Sequence, residues 1–564
     1  MPASHYWGSG VLEWKVMTMK KRLASILFTS AAVAATVGLG VSTGFLRGMA
    51  RPGAPWLADH DDRSEMGSDQ PARVDFPASP DGRRSTSALG RSVVADALRE
   101  ADKSGALAAE REKNWRKGYL AHFRRLIEAG LPSREAAVVV AQDGLESLHR
   151  RMRVIDGDGT ETGLDAVRSA PARSFPATVT VEGTGQPDRQ LLVPYQGERL
   201  RGDALLRRLD AWVAAGVIEP SCAEAVRAVV AHPEWLPLPG QTAVVLGAGA
   251  EIGPLSTLLS WGARVIGVDL PSPAIWARVL DMAHRSGGTL EIPVAGREAA
   301  QRAGTADDDS LAQNAGLDLA ADIPTAADWI ASVDGPLVLG NYVYADGAAN
   351  VRVSSAVDAL TGRLQAARPD VTLAFLATPT DVFAVPGDAV EQSRRAYAAR
   401  PGAVKMASLP LRALSGGRLL RRAYLTDAIP GINDSLVAQQ GPNYALAKRL
   451  QRWRATVARQ DGATVSLNVA PPTRTRSVLK NRALAAAYAG AHHFGVQAFE
   501  PATTRVLMAA LLVHDLHTGS PAHAHPWQDE AYAAAPGGLW RIPYAPRSAL
   551  MIAALMGYGA SKRS

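Results

Sequence analysis

Tyr444 and Lys448 stand four residues apart in "GPNYALAKRLQRWRATVARQ" (441–460), a stretch that opens on turn residues and then runs on without a breaker. On a helix, positions i and i+4 share a face, so a phenol and an ammonium would project together. A free phenol titrates near pH 10, too high for a good general base at neutral pH. A neighbouring ammonium favours the phenolate and lowers that value. The spacing therefore offers proton transfer, with Tyr444 as acid/base and Lys448 as its electrostatic partner.

A second group lies in "LGAGAEIG" (246–253), which follows the apolar run "TAVV". Gly247 permits a tight turn, Gly249 permits backbone conformations that a Cβ would strain, and Gly253 lets a following helix pack close. The helix N-terminus would offer free N–H groups to a pyrophosphate. Asp269 closes a second apolar run 22 residues after Gly247. There it can accept hydrogen bonds from ribose hydroxyls and would repel a 2′-phosphate, which favours NAD over NADP. The same order of strand, turn, helix, strand and acid also suits S-adenosylmethionine, and a turn that holds no ligand remains a third reading.

These residues need a scaffold. From Gly240 onward, candidate strands at Thr242–Leu246, Arg264–Val268, Thr289–Val294, Leu337–Gly340, Val371–Ala377 and Thr464–Val469 alternate with helical patterns. That alternation predicts an α/β domain, a doubly wound parallel sheet of Rossmann-like type, over 240–564. The stretch 381–440 reads as an insertion into it. Upstream, 96–239 reads as a mainly helical extension. It includes a helix with Ser133 as N-cap, "DALLRRLDAWVAAG" ending at Gly216, and "PSCAEAVRAVVAH" opening on a Ser221–Glu224 capping box. A lone strand is expected at Ala177–Gly183. Residues 47–95 are rich in Pro, Gly, Ser and Asp and read as a disordered linker.

On these motifs the chain resembles the short-chain dehydrogenase/reductase family over about residues 240–480. "LGAGAEIG" is similar to that family's TGxxxGIG turn, "YALAK" to its Tyr-x-x-x-Lys, and "LNVAPPTRT" (467–475) to its Asn-x-x-x-Pro-Gly-x-x-x-Thr segment. The resemblance implies an NAD(P)-binding oxidoreductase that moves a hydride between nicotinamide and a carbonyl or alcohol substrate. It implies that Lys448 also anchors the nicotinamide ribose. A hydroxyl that holds the substrate oxygen would come from Ser435, with Thr378 and Thr380 as alternatives. Thr473 or Thr475 would meet the nicotinamide amide. Asn341, in "GNYVYADG", falls where the family places a cofactor-side asparagine. Two positions depart from the pattern: Glu251 replaces the middle glycine of the turn, and Pro472 replaces a glycine. A carboxylate facing a pyrophosphate would cost about 4 kcal/mol for unit charges 4 Å apart near a surface. Glu251 is thus expected to point away, to pair with an arginine, or to mark a non-catalytic scaffold.

The remaining features set bounds. The net charge of +7 with no long basic block argues for a solvated surface rather than a nucleic-acid arm, and the resemblance implies a small-molecule substrate. The single cysteine, Cys222, excludes an internal disulfide and a cysteine-cluster metal site. Six histidines fall between 492 and 525 without a compact carboxylate set, and no metal is expected there. "LMAALLVHDL" (507–516) reads as a core helix or the contact of a homo-oligomer. Residues 1–46 read as an apolar leader. Within them "KKR" precedes an uncharged run, 23–46, that could be cleaved or could anchor the chain to a membrane. The expected location is accordingly cytoplasmic or organellar, with membrane association through that run.

Overall fold

The structure is a computed structural model that describes residues 73–173, 175–296, 308–425, 429–519 and 522–559. The leader, the 23–46 run and the linker up to residue 72 lie outside the described residues. The chain divides into two units. Almost all described residues belong to one of them, 63–398 with 421–564. Of the other only 399–420 are described, mainly as the helix Gly402–Leu414, which exposes Met406, Leu409 and Leu414.

The larger unit is mixed α/β, built on a seven-stranded, mostly parallel sheet. Its strands are β1 (Ala177–Glu182), β2 (Thr242–Leu246), β3 (Arg264–Val268), β4 (Thr289–Val294), β5 (Leu337–Asn341), β6 (Thr372–Ala377) and β7 (Val465–Val469). They lie in the order β7-β6-β5-β2-β3-β4-β1. All pairs are parallel except β1 with β4. The six strands read from the sequence after Gly240 are these six parallel ones, and the lone strand expected at Ala177 becomes the antiparallel edge.

The strands hold because both faces are buried, so they read as continuous apolar runs rather than alternating ones. Within β2, Val244 and Leu246 join one core while Ala243 and Val245 join the other, as the two-residue period of a strand requires. On the first face lie the helices α3 (Gly347–Ala367) and α4 (Gly441–Gln460), together with N-terminal helices Thr86–Leu98, Trp115–Gly130 and Arg134–Arg151. On the second lie α1 (Leu255–Ser260), α2 (Pro273–His284) and α5 (Pro501–Thr518). The "LMAALLVHDL" stretch is thereby core: Leu507 through Val513 are buried within α5.

Two local expectations are corrected. Residues 73–95, read as linker, form the strand Arg73–Asp75 and most of the helix Thr86–Leu98, because Val93, Val94, Ala97 and Leu98 bury one face. Ser221 is not an N-cap: the helix Pro220–Ala231 starts at the proline after Glu219. The Ser221 hydroxyl instead accepts the Ala533 N–H at 3.0 Å. Ser133 does cap its helix, accepting from Ala136 N. The 381–440 stretch holds an antiparallel pair, Val382–Val385 with Gly431–Asp434, and the helix Gly387–Ala398. Among the described residues no helix is long and apolar enough to cross a membrane.

Candidate functional site

Registers align the carboxyl ends of the central strands. Leu246 of β2 pairs with Val268 of β3 and with Asn341 of β5, and Asn341 pairs with Phe375 of β6. The chain leaves β2 toward β3 and later returns on the other side as β5, so connections diverge between β2 and β5. Ligands of open parallel sheets bind in the crevice at such a point.

The glycine turn opens this edge. Gly247 has φ +87°, and a Cβ there would sit 2.9 Å from Tyr342 O, so both conformation and space demand glycine. At Gly249 a Cβ would meet Ile275 Cγ2 at 2.9 Å and Asp269 Oδ2 at 3.3 Å. Asp269 is half-buried beside the turn and already engaged. Its Oδ2 accepts the Gly249 N–H at 2.7 Å, and its Oδ1 accepts the Leu270 N–H at 2.8 Å. Each carboxylate oxygen keeps a further lone pair for a hydroxyl. Gly253 is buried against Ala250, whose O accepts its N–H at 3.2 Å. The helix that follows, α1, is six residues long. Glu251 reaches the segment after β7: its Oε2 accepts the Arg476 N–H at 2.9 Å and lies 3.6 Å from Arg476 Nε. One of the three expectations for this residue, pairing with an arginine, is met.

Helix α4 brings the second constellation to the same edge. Lys448 Nζ donates to Leu376 O of β6 at 3.4 Å and to Gln451 Oε1 at 3.0 Å. Gln451 Nε2 in turn donates to Asn341 Oδ1 at 3.2 Å. Asn341 is buried and fixed by this bond, so it supports Lys448 through Gln451. Burial pulls the Lys448 ammonium down to about 8. The Tyr444 ring lies edge-on to Tyr344, in the loop after β5, with centroids 6.2 Å apart. Burial pushes the Tyr444 phenol up, and a hydrogen bond with Thr378 opposes that shift. The direction is the reverse of the lowering expected from Lys448, whose ammonium is spent on Leu376 and Gln451.

The hydroxyl beside Tyr444 is therefore that of Thr378, at the end of β6, rather than Ser435. Ser435 Oγ donates to Asn433 Oδ1 at 2.5 Å on the Gly431–Asp434 strand. Thr378 and Thr380 share a hydrogen bond of 2.9 Å. Thr473 does not offer a free hydroxyl to a ligand: it is buried, donates to Pro471 O at 2.8 Å and lies 2.7 Å from Thr504 Oγ1. The Thr475 hydroxyl lies 3.0 Å from Ser477 Oγ.

Further along α4, its middle holds residues that the sequence reading missed. Arg449 donates to Asp381 Oδ1 at 2.7 Å, and Arg452 donates to Asp381 Oδ2 at 2.7 Å and to Glu530 at 2.5 and 2.6 Å. All four groups are buried. The Arg452 guanidinium lies 4.2 Å from the Phe383 ring centroid. Arg449 and Arg452 lie three apart on one face, yet a basic helix in sequence reads as a solvated face. Only the partners, 68 and 78 residues away, reveal their burial.

The histidines are dispersed: His523 pairs with Asp529 at 2.8 Å, His525 bonds Gly130 O at 3.1 Å, and His517 stacks on Trp235. Among the described residues no group of three or more His, Cys, Asp or Glu side chains is placed to hold a metal ion. Compared with family models, with curated proteins and with solved structures, the chain gives no match.

Proposed function

We propose that the protein is an NAD-dependent oxidoreductase with a Rossmann-like fold of short-chain dehydrogenase/reductase type, acting on a small carbonyl or alcohol substrate. The observation that supports the reading is the shared carboxyl edge of the sheet: the Gly247 turn and Asp269 follow β2 and β3, and Lys448 bonds Leu376 of β6 and, through Gln451, Asn341 of β5. The parallel strand order, six strands read as 3-2-1-4-5-6 from β4 to β7, is that of dinucleotide-binding sheets.

The residues fit the cofactor in kind. The positive φ of Gly247 lets the backbone turn beneath a pyrophosphate, and Asp269 retains acceptor capacity for ribose hydroxyls. When bound, nicotinamide would supply or accept the hydride. Tyr444 would hold or release the proton of the substrate oxygen, with Thr378 steadying its hydroxyl. Lys448, held by Leu376 and Gln451, would lend positive charge to the crevice. Thr473 has no role here, since its hydroxyl is consumed.

A cofactor-free scaffold is the second reading, favoured by the two N–H groups that already occupy Asp269. Calorimetric titration of NADH into the full chain separates the two. Saturable micromolar binding that is lost in Asp269→Ala supports the oxidoreductase, and loss of turnover in Tyr444→Phe then assigns the proton. Absence of NADH binding removes the reading, and binding of S-adenosylmethionine instead would point to a methyltransferase.

A further inference from the structure

Beside the crevice lies a cleft of about 690 Å³, counting its open mouth. Its walls come from the helices Arg482–Gly490 and Pro546–Gly557 and the loop between Leu539 and Ile542, with Leu484, Ala487, Leu550 and Ala553 facing the space. The two helices approach so closely that a Cβ at Gly490 would lie 2.0 Å from Ala553 O, and one at Gly557 2.0 Å from Ala486 O. Glycine at both positions keeps the helix pair tight.

The lining is almost wholly carbon, and its polar groups are few. Arg547 is paired with Asp434, so its charge is answered within the protein. Thr380 and Ser435 line the cleft with their hydroxyls engaged by the protein, Ser435 Oγ with Asn433 Oδ1 at 2.5 Å. Thr380 Oγ1 accepts from Gln440 Nε2 at 2.7 Å and bonds Thr378 at 2.9 Å. The bond between Thr378 and Thr380 joins the cleft wall to the end of β6.

We propose that this cleft binds a neutral, mainly aliphatic molecule. An anion or a sugar would lose its hydration against carbon walls without enough partners to replace it. That this ligand is the substrate of Tyr444 rests on the oxidoreductase reading.

The test is calorimetric titration of the full chain with 1-hexanol, 1-octanol and 1-decanol. Each methylene buried adds about fourfold to affinity, so the dissociation constant falls about fourfold per carbon until the cleft is full. Leu550→Trp, which fills the cleft from a partly exposed position, weakens decanol at least about tenfold by removing several methylenes' worth of space while NADH binding persists. Affinities that ignore chain length, or decanoate binding more tightly than decanol, overturn the proposal. NADH binding without the chain-length trend removes the cleft alone. The trend without NADH binding upholds the cleft and removes only the oxidoreductase reading.

Discussion

Asp269 Oδ2 accepts the backbone N–H of Gly249 at 2.7 Å, while its Oδ1 takes the N–H of Leu270 at 2.8 Å. The acid that follows β3 is therefore also a brace for the turn that follows β2. Removing both acceptors strands two N–H groups at the base of the crevice, at a cost of about 1–3 kcal/mol. Asp269→Ala is expected to lose that much stability in urea unfolding and to bind NADH at least about tenfold more weakly, equivalent to 1.4 kcal/mol. Asp269→Asn keeps an acceptor for the turn and is expected to lose less stability. A variant pair that differed in neither measurement would mean that the brace contributes nothing.

Gly247 tests the turn from the other side. A side chain there meets both a left-handed backbone and Tyr342 O at 2.9 Å. Gly247→Ala is expected to destabilise by about 1–3 kcal/mol from backbone strain, read as a lower urea midpoint with an unchanged slope. Gly296 makes a control, since it also has positive φ, +81°, but nothing within 4 Å of its Cβ position. Gly296→Ala is expected to cost less than Gly247→Ala by the part due to the clash.

The parallel strands were legible because each is a short apolar run bounded by turn residues, and burial on both faces leaves no polar alternation to confuse the reading. The crevice residues Gly247, Asp269 and Asn341 were legible for the same reason: they are fixed to strand ends. The local partners of the Ser435 and Thr473 hydroxyls, Asn433 and Thr504, were not legible because spacing along the chain does not reveal them. Thr378 was named only as an alternative, although the end of β6 carries it to Tyr444. The linker reading failed at residues 73–95 because small residues such as Ala95 and Ala97 bury well against a neighbouring helix while looking featureless in sequence.

Lys448 gives a pH signature. Burial holds its folded-state value near 8, below the 10.5 of the unfolded chain. Below pH 8 the folded state carries a penalised ammonium. Between about 8 and 10.5 the unfolded chain binds more protons than the folded one, so stability contributed by this group rises with pH. Lys448→Met lacks the titration. The stability of Lys448→Met relative to the natural chain is therefore expected to fall as pH rises from 7 to 10 in denaturant unfolding. A difference independent of pH would show that the ammonium is not desolvated.

Asp381 has the same sign in an acidic window, since its folded value also lies below the unfolded one. Burial pushes its carboxyl up, but the guanidinium groups of Arg449 and Arg452 prevail and hold it below the usual carboxylate range. Its contribution is complete above the unfolded value of 3.8 and is lost as pH falls through the lower folded value. Arg452→Met leaves Asp381 with Arg449 alone and Glu530 without its bidentate partner. Breaking such a buried network typically costs about 3–5 kcal/mol. Urea unfolding at pH 7 is expected to show that loss in full. A loss under about 1 kcal/mol, the range of exposed ion pairs, would mean that the network is solvated after all.

On the oxidoreductase reading, Glu251 stands where a pyrophosphate would approach the turn. Its carboxylate is drawn off to the Arg476 N–H, and its side chain stays 26% exposed. Residual repulsion of an anionic ligand is thus screened but present. Glu251→Gln is expected to tighten NADH severalfold at low salt, and the gain is expected to shrink toward nothing near 1 M salt, where the Debye length falls to about 3 Å. If Glu251→Gln instead weakens NADH, the bond to Arg476 positions the segment after β7 for the ligand, and the departure from the glycine pattern is a working part of the site rather than an obstacle to it.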